Sequence, residues 1–171
     1  PMHAFWGAAI VALTVVTLVQ GNLSALPQQD SRRLLALSGV GHMSLWLLAL
    51  ATGTASGLAT LLFYTLAYVV TNMGAFFVVG AVVSNGEGGS IAALNGLARR
   101  APALSLALLV FLLSLGGIPF MAGFWAKLMV FWAAWKAGLA ALVVLGALFA
   151  VLALFYYLKM ARAVYIESPS I

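Results

Sequence analysis

The sequence predicts an all-α protein, a polytopic transmembrane helix bundle of five spans, and three observations predict it. Of its 171 residues, 65% are hydrophobic and 6% charged, against about 25% charged in soluble domains, and the mean hydropathy is +1.14. Apolar runs near the length that crosses a bilayer, about 20 residues, recur along the chain. The basic residues sit in pairs at the ends of those runs, as orientation in a membrane requires. The formal charge of +5 therefore does not point to nucleic acid, and the expected surroundings are a lipid bilayer.

Residues 5–26 form the first span, closed by Pro27, with Thr14, Thr17, Gln20 and Asn22 as its polar content. Such side chains bond to backbone or across to a neighbouring helix. A loop at 27–30 leads through Ser31, Arg32 and Arg33 into the second span, 34–51, which carries His42 with Ser38 and Ser44 nearby. The uncharged run TGTASG at 52–57 is a turn, and 58–83 is the third span, with Tyr64, Tyr68, Thr71 and Asn72. Residues 84–100 are the one long polar stretch; glycines make its first half flexible, and 91–97 suits a short interfacial helix.

Pro102 can open the fourth span, since proline is tolerated in the first turn of a helix. The apolar run 103–135 exceeds one untilted crossing of about 20 residues. The excess fits an interruption at Gly116, Gly117 and Pro119, giving two half-helices joined at depth. Lys136 and Gly138 then make a turn, and 139–160 is the fifth span. Residues 1–171 read as a single membrane domain. The chain begins at Pro1 with no initiating methionine and no basic leader, which reads as a fragment or processed chain without a secretory signal.

Five crossings place alternate loops on opposite sides. Arg32, Arg33, Arg99, Arg100, Lys159 and Arg162 then share one side, and Lys136 alone lies on the other. The positive-inside rule makes the first side cytoplasmic, with the amino terminus outside and the carboxyl terminus inside, as in a multi-pass protein of a bacterial inner membrane.

Lys127 is the only charged residue between Arg100 and Lys136. An ammonium in hydrocarbon costs about 2.5–3.5 kcal/mol on insertion scales, so an intramembrane lysine beside a helix break is a candidate proton relay. Its stem could instead snorkel to an interface. At about 1.5 Å per residue, His42, Tyr68 and Lys127 all fall near the bilayer midplane, roughly 12–15 Å from their span ends. Histidine is the side chain that titrates near neutral pH, though a lone helical histidine is as often a hydrogen-bonding partner. Tyr68, Thr71 and Asn72 are more often packing and interhelical bonds, with a relay role for Tyr68 as the alternative. Arg32, Arg33, Arg99 and Arg100 set topology. The three acids, Asp30, Glu87 and Glu167, lie in loops, which leaves no carboxylate-based ion site in the membrane. With no cysteine there are no thiolate iron–sulfur clusters, thiol catalysis or disulfides in this chain, and no cofactor or metal site is expected.

The run SLGGIPFMAGFWAKLMVF, residues 114–131, resembles the broken-helix signature of the antiporter-like membrane subunits of respiratory complex I, NADH-quinone oxidoreductase. GNLSALPQQDSRRLLALSGVGHMS at 21–44 is similar to the family's basic pair followed by a histidine-bearing helix, and LFYTLAYVVTNMGAFFVV with LNGLARRAPAL looks nearest to subunit N. The resemblance implies the carboxy-terminal half of such a subunit: one antiporter-like repeat, helices nine to thirteen, with the first repeat absent. It implies proton-relay roles for Lys127 in broken helix twelve and His42 in helix ten. Partners would be other membrane subunits of a complex I-like assembly, holding the FMN, iron–sulfur clusters and quinone. Departures are Arg32-Arg33 for a Lys-Arg pair, Leu37-Ser38-Gly39 for a tyrosine-serine-serine run, and Ala126 for a glycine. Competing expectations are a subunit of a related cation/proton antiporter or membrane-bound hydrogenase, and a structural membrane fragment that conducts nothing.

Overall fold

The computed structural model describes residues 2–83 and 89–168. Glu87, with the rest of the glycine-rich segment 84–88, and residues 169–171 lie outside the described residues. The helices are α1 (Met2–Ala25), α2 (Ser31–Ala51), α3 (Ala55–Val82), α4 (Leu97–Arg100), α5 (Pro102–Gly116), α6 (Ala122–Lys136) and α7 (Ala140–Tyr165). Of these, α1, α2, α3 and α7 are long and apolar enough to cross a membrane. Helices α5 and α6 have 15 residues each, a rise of about 22 Å against a hydrocarbon core of about 30 Å. Neither crosses alone, so the long apolar run is two half-length helices.

Local chemistry sets the boundaries. The Asp30 carboxylate accepts from the Arg33 amide at 2.9 Å and caps α2, which therefore begins at Ser31 rather than 34. Thr54 does the same for α3, accepting from Gly57 N–H at 3.0 Å, so α3 starts three residues ahead of the expected position. Pro102 occupies the first turn of α5. Helix α7 continues to Tyr165, past the expected end at 160.

Segment 91–97 differs from the single interfacial helix expected for it. It is a 3-10 turn (Ile91–Leu94) followed by α4, parted at Asn95 and Gly96. The Gly96 amide bonds to the Ala163 carbonyl at 3.1 Å, and Ile91 N–H to Gln29 O at 2.7 Å. These bonds turn Ile91, Leu94 and Leu97 inward, where all three are buried in the core.

Two apolar clusters divide the bundle. One joins the start of α2, the end of α3, α5 and the end of α7 through Leu34, Leu35, Val79, Leu108, Leu112 and Met160. The other joins the end of α2, the start of α3, α6 and the start of α7 through Leu45, Leu48, Tyr64, Val130, Ala134 and Leu142. His42 lies on α2 between the residues given to each. At the end beside the first cluster, Lys159 Nζ donates to Gln28 O at 3.0 Å and Ser31 Oγ to Gly89 O at 2.9 Å. The basic residues at 32, 33, 99, 100, 159 and 162 therefore gather at one end, and Lys136 lies at the other.

Candidate functional site

Lys127 occupies the joint between the half-helices. Helix α5 ends in a Schellman motif: Ile118 N–H bonds to Leu113 O at 3.0 Å and Gly117 N–H to Ser114 O at 3.1 Å. Gly117 takes φ +83°, which a Cβ would strain. The next carbonyl, Leu115, is left over by that motif, and Lys127 Nζ donates to it at 2.7 Å. A cation there also meets the negative end of the α5 dipole. In return the Ser114 hydroxyl accepts from Gly123 N–H at 3.1 Å, in the first turn of α6. Gly123 permits this approach, because a Cβ there would overlap the Ser114 carbonyl. Each half-helix thus caps the other, and Lys127 is held with 6% of its surface exposed rather than snorkelling.

Around this joint the structure brings together the three midplane residues that the sequence singles out. His42, likewise 6% exposed, shares with Lys127 a cavity of about 20 Å³ lined also by Asn22, Ser38 and Tyr156. That volume suits about one water. On the other side of the imidazole, a smaller cavity of about 10 Å³ is lined by His42, Tyr64, Tyr68, Thr71 and Ser114. Tyr68 is half-buried, its ring 4.9 Å from that of His42 between centroids and its edge on Trp46.

The ring nitrogens of His42 are taken by two other phenols. Nδ1 lies 2.6 Å from the Tyr64 hydroxyl and Nε2 3.0 Å from that of Tyr157. Tyr156, beside Tyr157, donates to Asn22 Oδ1 at 3.1 Å, and Asn22 Nδ2 donates to Leu18 O at 2.8 Å. Tyr64, Tyr157 and Tyr156 are thus part of the polar layer, though sequence reasoning gave none of them a role, and Asn22 joins them through the backbone and interhelical bonds expected of it. Tyr157 lies near the expected end of the fifth span; α7 runs on to Tyr165 and leaves it buried.

Gly116 is buried under Leu154 and Tyr157, and Pro119 lies in the middle of the connection 117–121 to α6. Phe120 follows with φ +76° and an outward ring, 95% exposed. Arg32, Arg33, Arg99 and Arg100 stand apart from the site, exposed at the basic end, where Arg100 donates to Ala93 O at 3.1 Å. Among the described residues no group of three or more His, Cys, Asp or Glu could hold a metal ion.

Several known proteins share this sequence and arrangement. The chain is 47% identical over 165 residues to NADH-quinone oxidoreductase subunit N 2 of Acidobacterium capsulatum, an alignment covering 94% of this chain and 33% of that protein. It superposes on a chain of respiratory complex I from Thermus thermophilus with bound aureothin with a TM-score of 0.83 at 39% identity, covering 96% of this chain and 37% of the other. A chain of the Mrp complex from a Dietzia species superposes with a TM-score of 0.85 at 27% identity, covering 96% and 31%. The chain thus spans about a third of the length of the curated relatives it matches. Residues 1–153 match the family described as NADH:quinone oxidoreductase/Mrp antiporter, TM, and this multi-pass membrane chain belongs to that family.

Proposed function

We propose that the chain is one antiporter-like repeat of a proton-translocating membrane subunit of an NADH-quinone oxidoreductase, and that Lys127 and His42 relay protons within it. The observation that carries this reading is the position of Lys127: buried at the junction of two half-helices, bonded to a leftover carbonyl, and facing His42 across a water-sized cavity. An amine fixed there can release a proton to a cavity water and recover one, while the Leu115 carbonyl keeps it in place in either state. Ionisable side chains at this depth are costly and rare, and where they occur they mark ion and proton pathways, which supports the relay over a purely structural role.

In this reading α5 and α6 together make one crossing, so the chain crosses five times. The amino terminus lies outside and the carboxyl terminus in the cytoplasm, in keeping with the basic end formed by Arg32, Arg33, Arg99, Arg100, Lys159 and Arg162. The chain itself holds no redox centre. Flavin, iron–sulfur clusters and quinone belong to partner subunits, and the input side of the pathway to a first repeat. Tyr68 shapes the smaller cavity beside His42 and is a further candidate station.

A second reading, a subunit of a cation/proton antiporter, is favoured by the likeness to the Mrp complex. The higher identity to subunit N sequences supports the first. Lys127→Ala in the assembled complex is the deciding experiment, with quinone reductase activity and proton pumping measured together in liposomes. Pumping is expected to fall by about 10²-fold, the lower range for a lost proton-transfer group. Unaltered pumping would sink the relay.

A further inference from the structure

His42 lines both cavities; of the two phenols on its nitrogens, Tyr64 lines the smaller one and Tyr157 lies outside both. The smaller cavity is lined by Tyr64, Tyr68 and Thr71 of α3 with Ser114 of α5, and the larger by Asn22, Ser38, Lys127 and Tyr156. Tyr64 Oη lies 2.6 Å from Nδ1, and Tyr157 Oη 3.0 Å from Nε2. The Tyr157 hydroxyl also reaches the side chains of Ser38 and Tyr156, both of which line the Lys127 cavity. We propose that Tyr64 and Tyr157 carry protons across His42 from one cavity to the other, as a phenol–imidazole–phenol bridge. The inference rests on the relay reading above and names the residues that complete it.

The chemistry follows from what a neutral imidazole can do. One ring nitrogen donates and the other accepts, so one phenol donates to the ring and the other receives from it. In the forward step the Tyr64 proton moves to Nδ1 and the Nε2 proton moves to the Tyr157 oxygen. The Ser38 oxygen accepts the original Tyr157 proton while the Ser38 proton, drawn from its bond to Leu35 O, passes to water in the Lys127 cavity, and the Tyr64 oxygen takes a proton from water in the smaller cavity. One proton enters and one leaves. The ring changes from the Nε2–H to the Nδ1–H tautomer, and before the next transfer it must turn about both Cα–Cβ and Cβ–Cγ until Nδ1–H faces Tyr157 and the bare Nε2 faces Tyr64. No group in the bridge carries a net charge at either end of the step.

That neutrality suits the site. The described carboxylates are those of Asp30, which caps α2, and Glu167, which pairs with Arg162 at 2.8 Å. Neither lines a cavity beside His42. An imidazolium here would be a buried cation without an anion, an arrangement that desolvation disfavours. Tyr68 is not an arm of this bridge: its ring lies tilted at 40° to that of His42 and its hydroxyl lies against α2 at Gly39, so any station it makes is in the smaller cavity, outside the bridge.

The test uses the assembled membrane complex containing this chain, reconstituted in liposomes, with protons delivered per electron read by a pH-sensitive dye. Tyr64→Phe and Tyr157→Phe keep the rings and remove only the hydroxyls. Each is expected to lower proton output by about 10²-fold, and the double variant no further than either single one, because the two act in series. Tyr165→Phe, at the exposed end of α7, is expected to match the unaltered protein. Normal output from both phenylalanine variants, with output lost in Lys127→Ala, overturns the bridge and leaves the relay standing. Normal output from all three overturns the relay itself. If the phenylalanine variants fail to assemble, ring-fluorinated tyrosine at position 157 keeps the hydroxyl and alters its acidity. A changed solvent deuterium isotope effect on output then supports the bridge, and an unchanged one overturns it.

Discussion

Helix α6 carries two lysines nine residues apart that meet opposite fates. Lys136, in the last turn, is exposed and lies 5.0 Å from the centroid of the Trp132 ring. Lys127 is buried and bonded to the Leu115 carbonyl at 2.7 Å. Residue type and helix are the same, so the difference comes from what faces each. Along an unbroken helix each carbonyl is already engaged by the amide four residues on, so a second donor meets an acceptor that is shared rather than free. Helix α5 stops at Gly116 and leaves carbonyls unpaired, and one of them makes a buried lysine tenable. The break and the lysine are therefore one device: the first supplies the acceptor, and the second satisfies it.

The comparison breaks most completely at Gly123. A Cβ there would overlap the Ser114 carbonyl, so Gly123→Val must push α6 off the end of α5 and draw Lys127 Nζ from Leu115. The expected loss is about 3 kcal/mol of stability, the upper range for overpacking, with proton output lost as in Lys127→Ala. Thermal unfolding in lipid nanodiscs checks the first effect and liposome pumping the second; normal values for both would show that the half-helices do not depend on this contact. Ser114→Ala is milder. It removes the acceptor of Gly123 N–H without adding bulk, and the expected cost is about 1 kcal/mol, that of a lost helix cap. If Ser114→Ala costs as much as Gly123→Val, the Ser114 hydroxyl carries more of the joint than one capping bond.

Much of the fold was legible in the sequence because each signal was local. Apolar length gave the spans, Pro102 the start of α5, and the glycines with Pro119 the break. The depth estimates for Lys127, His42 and Tyr68 used only the rise of a helix, and the structure places all three around the same pair of cavities. What stayed hidden depends on contacts between distant segments. That Leu115 O would face Lys127 follows from how α5 and α6 fold back at the break, which periodicity does not encode. Tyr64 and Tyr157 reach His42 across separations of 22 and 115 residues. Segment 91–97 failed as an interfacial helix for the same reason: hydrogen bonds to Gln29 and Ala163 draw it into the core, and its own composition does not report them.

Lys136 offers the smallest effect and the sharpest control. Its surroundings give it two modest attractions: the Trp132 ring, at about 0.5–1 kcal/mol for an exposed cation–π pair, and the negative end of the α6 dipole, about 0.3–1 kcal/mol. Both are exposed to solvent or headgroups and screened by salt. Lys136→Ala should therefore lower stability by about 0.5 kcal/mol, less at high ionic strength, and leave proton output unchanged. Unfolding midpoints at low and high salt measure the first, and the liposome assay the second. If output fell with Lys136→Ala as it does with Lys127→Ala, burial at the break would not be what separates the two lysines, and the relay would have to extend along α6 to its exposed end.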